Sequence, residues 1–320
     1  MAPPAIRSIV KIIQMSNNLK YYRAYGLKIA SGVSFPEFYP VDRPEVIDVT
    51  ISVGEVPERL DNENAVHFFR TTISSGDFLL NLDGIARYRV MNGSQIIIQP
   101  EAGSDIDSVR VFCISNAFAA LLNQRKQLQL HGSAFLNHDE VILILGATHA
   151  GKSTILANIV ARGFKPFSDD VCVPVLSPPG EIRLFSSYPM MKYWVDTFSK
   201  VELGDRSEFY KIRPRLEKYG RFFHDQFTPE HKRLKQIFIL ETNKMLKECT
   251  IEPLKGIDAF KLLERQIYRK RYVKPFGLRQ HAFLLISSLA TLPVQRLQRP
   301  AGINSVKQVT DIILSHLDAK

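Results

Sequence analysis

The sequence predicts a mixed α/β protein, and three observations carry that prediction. Residues 141–145 are all apolar and lead directly into a glycine, which is typical of a fully buried strand in a parallel sheet. The segment 154–162 then has helical spacing, with its isoleucines on one side, and Gly163 ends it. Earlier in the chain, residues 27–99 contain several short runs rich in β-branched and aromatic residues, which indicate strands.

The segment between the buried strand and the helix matches a phosphate-binding loop. Gly146, Gly151, Lys152 and Ser153 occupy every fixed position of the pattern G-x-x-x-x-G-K-[ST]. The glycines let the backbone expose its N–H groups, and the helix that follows adds its positive end. A lysine here can reach the β- and γ-phosphates, and the serine hydroxyl can ligate Mg²⁺. The predicted nucleotide-binding residues are Gly146, Ala147, Thr148, His149, Ala150, Gly151, Lys152, Ser153 and Thr154.

Length and composition limit which class of protein the chain can belong to and in which cellular compartment we expect it. The 320 residues allow one large or two small domains, and 45% hydrophobic with 23% charged residues is ordinary for a globular protein. No apolar run approaches the ~18 residues of a membrane span, and the N-terminus lacks a signal-peptide core. Cys113, Cys172 and Cys249 are far apart and odd in number, which fits neither a disulfide framework nor metal-ligand spacing. We expect a cytoplasmic protein without a membrane partner.

The formal net charge is +10, and residues 183–281 hold nearly all of the excess. Residues 265–274 are basic and interleaved with aromatics, a composition found in nucleic-acid-binding surfaces. An acidic peptide, a phosphorylated substrate or a solvated helix face explains the same charge. Because the sequence contains no recognisable DNA- or RNA-binding module, we do not expect nucleic acid as a partner.

The chain divides into two predicted parts at a polar stretch around residues 100–110. Residues 1–107 form an antiparallel β-rich unit, which begins with a short helix or ordered arm over residues 1–20. Asn92-Gly93 is a strong hairpin signal within it. Residues 108–320 form the nucleotide-binding domain with a helical C-terminal segment. Predicted strands are Leu27–Ser31, Val46–Val53, Val66–Ile73, Phe78–Leu82, Ala86–Val90, Ser94–Gln99 and 234–240, and predicted helices are Ser108–Gln129, Ile257–Tyr268, Leu278–Leu292 and Val306–Leu317.

Two segments place further chemistry near the loop. Residues 130–136 form a strand that carries His131 and that a tight turn joins to the buried strand. Asp169 and Asp170 stand at the start of an alternating strand after the helix, and adjacent side chains of a strand point to opposite faces. One carboxylate could approach the γ-phosphate while the other binds metal, water or backbone. A solvated turn and a hydrogen-bonded core histidine are the alternatives.

Taken together, His131-Gly132, the loop Gly146–Ser153, Arg162-Gly163-Phe164 and Ser168-Asp169-Asp170-Val171 are similar to the catalytic domain of HPr kinase/phosphorylase. The resemblance covers about residues 128–176. It is closest to the HPr-kinase-related proteins, which include kinases of lasso-peptide biosynthetic clusters. It implies a P-loop kinase core of the HPr kinase/phosphoenolpyruvate carboxykinase type, with ATP and Mg²⁺ as cofactors and transfer to a serine hydroxyl.

The resemblance also implies a role for each matching residue. Lys152 would hold the β- and γ-phosphates, and Ser153 would bind Mg²⁺. Asp169 would be the catalytic base, while Asp170 would support the metal or the loop. His131 would lie near the phosphates or the catalytic aspartate. Relatives form oligomers, so a homo-oligomer is a further expectation, although the sequence carries no interface signal.

The expected function is that of an ATP-dependent serine kinase acting on a peptide or small protein, in lasso-peptide maturation. His149 stands where the family usually has a small residue, and Thr154 replaces an acidic one, so a dedicated kinase fits better than a bifunctional one. Residues 177–230 mix aromatics with charges, which suggests a mobile lid or a peptide-binding surface. Lys192 or a basic residue within 265–274 is a candidate further cation. The alternatives are a kinase of a small hydroxyl metabolite and a nucleotide-binding regulator without transfer activity.

Overall fold

The structure is a computed structural model that describes residues 19–177, 180–214 and 216–318. It confirms a mixed α/β protein with a β-rich N-terminal part. The chain separates into two compact units: Met1–Leu128 with Ile212–Leu216 and Arg269–His281, and Gln129–Lys211 with Glu217–Tyr268 and Ala282–Lys320. The helix or arm expected for residues 1–20 lies outside the described residues up to residue 18.

Nine strands of the described chain form one sheet in the first unit, in the order β3-β1-β2-β4-β9-β8-β7-β6-β5. The Asn92-Gly93 hairpin is confirmed: it joins the eighth and ninth strands in chain order, and both residues have positive φ. The sheet is not wholly antiparallel as predicted, because its fourth strand pairs in parallel with both neighbours. Hairpin signals specify local pairs and carry no information about this non-local strand. The strands are β1 (Lys20–Ala24), β2 (Leu27–Ser31), β3 (Tyr39–Pro40), β4 (Val49–Val53), β5 (Val66–His67), β6 (Thr71–Ile73), β7 (Asp77–Leu82), β8 (Ala86–Met91) and β9 (Gln95–Pro100).

One long helix, α1 (Ile106–Gln124), packs within the first unit and contains a π-helical turn at Cys113–Ala117. Asp105 caps its start by accepting a hydrogen bond from the Ser108 N–H. The ring of Phe118 stacks 5.3 Å from Tyr25, and the first compact unit continues to Leu128. The helix is apolar and long enough to span a membrane, but 67% of its most apolar stretch is buried inside the protein, as expected of a core helix.

The second unit is built on a mixed sheet in which β11, β18 and β20 run parallel. Five of its strands pair in the order β10-β11-β18-β14-β13, and β13 pairs again with β10, so these strands form a closed ring. The strands are β10 (Leu130–Asn137), β11 (Glu140–Gly146), β12 (Lys165–Ser168), β13 (Val171–Ser177), β14 (Glu181–Phe185), β15 (Met190–Trp194), β16 (Tyr210–Lys211), β17 (Lys218–Phe222), β18 (Lys232–Asn243), β19 (Thr250–Leu254) and β20 (Val294–Pro300).

The described C-terminal part contains strands as well as the predicted helices. The helices are α2 (Lys152–Ala161), α3 (Gly256–Glu264), α4 (Arg279–Leu289) and α5 (Val306–Asp318). β19 and β20 were not predicted, because neither has an apolar run. The segment predicted as a mobile lid or a peptide-binding surface contains a small sheet in the order β15-β17-β16. One apolar core joins β11, β18, α2 and α5 through buried residues such as Ile144, Phe238, Leu156 and Ile313.

Candidate active site

The predicted phosphate loop connects the buried strand β11 to helix α2. Gly146 ends the strand with its Cα against β18, where a Cβ would come within 2.5 Å of the Leu240 carbonyl oxygen. Gly151 has a φ of 102° directly before the helix, a conformation that favours glycine. Ala147, Thr148 and His149 between them are exposed. A ligand can therefore reach the backbone of the loop and the first turn of the helix.

Lys152 is buried and folds back onto the loop. Its Nζ donates hydrogen bonds to the carbonyl oxygens of Gly146 at 2.8 Å and Ala147 at 3.0 Å. Burial lowers the pKa of Lys152 to about 8, although Asp169 and Asp170 oppose the shift. The lysine is thus a buried cation held by carbonyl groups, without a carboxylate in ion-pair contact within the described chain.

Asp169 is fully buried and joins three segments of the site. Its Oδ1 accepts hydrogen bonds from the hydroxyls of Ser133 at 2.7 Å and Ser153 at 2.9 Å. Its Oδ2 accepts the backbone N–H of Lys192 at 2.9 Å. Asp169 therefore fixes the hydroxyl of Ser153 at the start of α2, while Ser133 on β10 and Lys192 on β15 fix Asp169.

Asp170 has different surroundings from its neighbour. The two aspartates form the turn between β12 and β13 rather than the start of a strand, and Asp170 has a φ of 75°. Its Oδ2 lies 2.9 Å from the Nζ of Lys192, and 19% of its side chain is exposed. Burial favours a higher pKa for Asp170, but Lys192, Lys218 and His131 outweigh it and hold that pKa well below the ordinary value. Asp170 is therefore an ionised carboxylate with an open side.

His131 contacts the second aspartate, not the phosphate loop. Its Nδ1 lies 2.9 Å from the carbonyl oxygen of Asp170, and since a carbonyl only accepts, Nδ1 carries the proton. Burial lowers the pKa of His131, Lys152 adds to that shift and Asp170 opposes it. The neutral ring thereby positions Asp170. The next residue, Gly132, faces β11, where a Cβ would come within 2.9 Å of the Ile144 carbonyl oxygen.

A third lysine and two rings extend the site beyond the loop. The Nζ of Lys218 on β17 lies 5.4 Å from the ring centroid of Trp194, and the ring of His149 lies 5.4 Å from the same indole. Burial lowers the pKa of Lys218, while Asp170 opposes the shift and Lys192 adds to it. Thr154 on α2 contacts the hydroxyl of Thr197 at 3.1 Å. His149, Trp194 and Lys218 together form a partly exposed surface that combines positive charge with aromatic rings.

The structure brings together most of the predicted site residues, but with different pairings. Lys152, Ser153, Asp169, Asp170 and His131 all lie around one end of β10 and β11. The predicted metal pair of Ser153 and Asp170 is not in contact, because Ser153 bonds to Asp169. Among the described residues, no group of three or more His, Cys, Asp or Glu side chains is placed to hold a metal ion.

Two contributors were missed by the sequence analysis. Ser133 lies in an apolar strand, and the pairing of this strand with β12 brings it to Asp169. Lys218 follows a segment without regular periodicity, and no sequence signal could have placed it beside Trp194 and the aspartates. Lys192, which the sequence offered as a candidate cation, lies at the site and bonds to both aspartates.

Comparison with solved structures finds a similarity to the Hpr(Ser) kinase/phosphatase from Coxiella burnetii. The two chains are 11% identical, and the match covers 59% of this chain and 95% of that chain with a TM-score of 0.30. A TM-score this low gives no basis for superposing one site on the other. No protein-family model matches the sequence, and no curated protein matches it.

Proposed function

We propose that this protein is an ATP-dependent kinase that transfers the γ-phosphate to a serine hydroxyl of a peptide or small protein. The observation that carries the proposal is the contact of buried Asp169 with Ser153 at the end of the phosphate loop. A carboxylate that orients the serine of this loop is a recurring part of nucleotide-binding sites that use Mg²⁺. A chance glycine turn between a strand and a helix would not need a buried carboxylate at that position.

The charges of the site fit Mg²⁺ and a nucleoside triphosphate. Lys152, Lys192 and Lys218 face two carboxylates, Asp169 and Asp170, so the cluster has one excess positive charge. The N-terminus of α2 adds the positive end of its dipole. Lys152 would exchange its loop carbonyls for phosphate oxygens, and Ser153 would hold the metal. Bound Mg²⁺ would neutralise charge on the phosphates and so favour transfer.

The contacts favour an exchange of the roles that the resemblance implied for the two aspartates. Both oxygens of Asp169 already accept hydrogen bonds, and the residue has no exposed surface. Asp170 is ionised, partly exposed and oriented by His131. We therefore assign Asp169 to the positioning of Ser153 and the metal, and Asp170 to the acceptance of the proton from the acceptor hydroxyl.

Lys192 provides a way to raise the basicity of Asp170 when the substrate is bound. In the described structure the ammonium group of Lys192 holds the pKa of Asp170 low. Phosphate oxygens that attract Lys192 would weaken this pair and raise the pKa of Asp170. The proton of the acceptor hydroxyl leaves late in phosphoryl transfer, so a weakly basic carboxylate is sufficient.

The peptide acceptor and its pathway rest on less direct support. The exposed Trp194 with Lys218 beside it offers an apolar and cationic surface, which suits a peptide better than a small metabolite. Lasso-peptide maturation, a homo-oligomeric state and a cytoplasmic location complete the proposal. A cytoplasmic location agrees with three cysteines that are free thiols.

The test of the activity is intact-mass spectrometry after incubation with Mg-ATP and a pool of acceptors. The pool contains serine-ending peptides, a small phosphocarrier protein and small hydroxyl compounds. We expect a gain of one phosphoryl group on a peptide serine. A gain on a small compound alone would replace the peptide assignment, and ATP binding without any gain across the pool would favour the regulator.

The test of the aspartate assignment compares Asp169→Asn with Asp170→Asn. We expect Asp170→Asn to lower the transfer rate by about 100- to 10,000-fold while Mg-ATP affinity stays within about threefold of wild type. Asp169→Asn lowers Mg-ATP affinity by about tenfold as well as the rate, because an amide carries no charge and cannot accept hydrogen bonds at both positions. Calorimetric titration and single-turnover rates separate the two effects. If Asp169→Asn bound Mg-ATP normally and lost only transfer, Asp169 would be the base after all.

A further inference from the structure

An arginine outside every sequence motif lies beside the phosphate loop. Arg299 stands near the end of β20, which runs parallel to β18, as β18 does to β11. The carboxyl ends of these three strands therefore meet at the edge from which the loop begins. Arg299 thus reaches the loop through sheet topology rather than through proximity in sequence.

The guanidinium group lies against Gly151, at the start of α2. A Cβ on Gly151 would come within 3.3 Å of Nη2 and 3.6 Å of Cζ of Arg299. A side chain at Gly151 would therefore crowd the guanidinium group of Arg299. This glycine serves two purposes, since its φ of 102° also requires a residue without a side chain.

Arg299 has no anionic partner within residues 19–177, 180–214 and 216–318. Its Nε is buried without a hydrogen bond there. Burial lowers the pKa of Arg299, and only the thiol of Cys249 opposes that shift. Arg296, on the same strand, instead pairs with Glu241 at 2.6 Å and Glu252 at 3.2 Å. A half-buried cation without a counterion costs stability, so an arginine of this kind is expected where an anion binds.

We propose that Arg299 is a second phosphate-binding cation, which together with Lys152 binds the phosphate chain of the nucleotide. The inference rests on the proposed function, because it needs a nucleotide in the loop. A guanidinium group offers a planar fork of donors that matches two phosphate oxygens, whereas an ammonium group acts as a point charge. The two cations would approach the loop from different elements, Lys152 from α2 and Arg299 from β20.

The experiment measures the affinity of Mg-ATP, Mg-ADP and AMP for wild type, Arg299→Ala, Arg299→Lys and Arg296→Ala by calorimetric titration. We expect Arg299→Ala to weaken Mg-ATP and Mg-ADP binding by about 10- to 100-fold, as for the loss of a charge-assisted pair. AMP binding changes much less, since its phosphate chain is shorter. Arg299→Lys recovers part of the loss, and Arg296→Ala leaves all affinities near wild type.

Thermal unfolding of the nucleotide-free proteins separates binding from structure. Removing an unpaired buried charge should leave the melting temperature of Arg299→Ala unchanged or higher than wild type. A lower melting temperature together with unchanged Mg-ATP affinity would overturn the inference and assign Arg299 a structural role. If wild type itself binds no Mg-ATP, the proposed function fails. If wild type binds and Arg299→Ala binds equally well, only the inference fails.

Discussion

Both compact units bury charged side chains, but they balance them differently. In the first unit, the guanidinium group of Arg110 contacts Glu37 at 3.0 Å and also pairs with Asp107. Burial favours a lower pKa for Arg110, but the two carboxylates outweigh it and raise that pKa. In the second unit, Lys152 and Arg299 are cations without a carboxylate in contact within the described chain, and burial lowers the pKa of both.

We interpret this as a difference between charges that stabilise the fold and charges that, on the proposed function, bind an anion. In a buried ion pair the attraction between the partners offsets part of the cost of desolvation, whereas a buried cation without a carboxylate has no such offset until an anion binds. A protein retains such an excess only where binding repays it. The charge balance of each cluster thus supports the proposal that the second unit is the one that binds an anion.

The largest expected effect is the loss of Arg110, the cation that Glu37 and Asp107 contact in the first unit. We expect Arg110→Ala to lower the free energy of unfolding by about 3–5 kcal/mol, because Glu37 is left buried and uncompensated. Arg89→Ala is the matched control, since Arg89 pairs with Asp77 at a half-exposed site and contributes about 0–1 kcal/mol. Urea unfolding followed by circular dichroism measures both. Equal shifts in the two variants would mean that the Arg110 cluster is not a buried pair in solution.

Removal of the central unbalanced charge should affect activity rather than stability. We expect Lys152→Ala to lower the transfer rate by about 100- to 1000-fold, because the transferring group loses a preorganised cation. The melting temperature should stay near wild type, since among the described residues the ammonium group donates hydrogen bonds only to carbonyl groups. Lys165→Ala removes an exposed lysine of the same unit and serves as control. Normal transfer by Lys152→Ala would argue against the loop as the phosphate site.

The smallest effect is a pH dependence of nucleotide binding. With a pKa of about 8, Lys152 is charged at pH 7 and increasingly neutral above pH 8. Bound phosphates raise that pKa, so binding takes up a proton at alkaline pH. We expect Mg-ATP affinity to be nearly constant from about pH 7 to 7.5 and to fall toward about tenfold per unit above pH 8. Titration across this range measures it, and the fall should be absent in Lys152→Ala. A flat profile in wild type would contradict the buried lysine.

Features that depend on residues close together in the chain could be predicted from the sequence alone. The strand, loop and helix over residues 141–161, the hairpin that carries His131 and the Asn92-Gly93 turn all follow from short local patterns, and the structure has each of them as predicted. Strong apolar periodicity likewise placed β18 and the C-terminal helices. In each case the residues that specify the element lie within it.

Features that depend on distant pairing could not be predicted in the same way. The parallel partners of β4 and the position of β20 are set by sheet topology, to which no local pattern refers. The site shows the same limit. Asp169 and Asp170 were singled out from their place after the loop, but the contacts that distinguish them come from Ser133, Lys192 and His131 on other strands.

The position of strand β18 in its sheet predicts which part of the second unit unfolds last. Its twelve residues bond to β11, β14 and β20, so β18 is covered along both edges within the described sheet. The amides of Ile237, Phe238, Ile239 and Leu240 should therefore exchange with deuterium only through global unfolding. Leu240 also supplies the carbonyl beneath Gly146. The floor of the phosphate loop is thus expected in the slowest-exchanging part of the unit, while the exposed loop residues above it exchange within seconds.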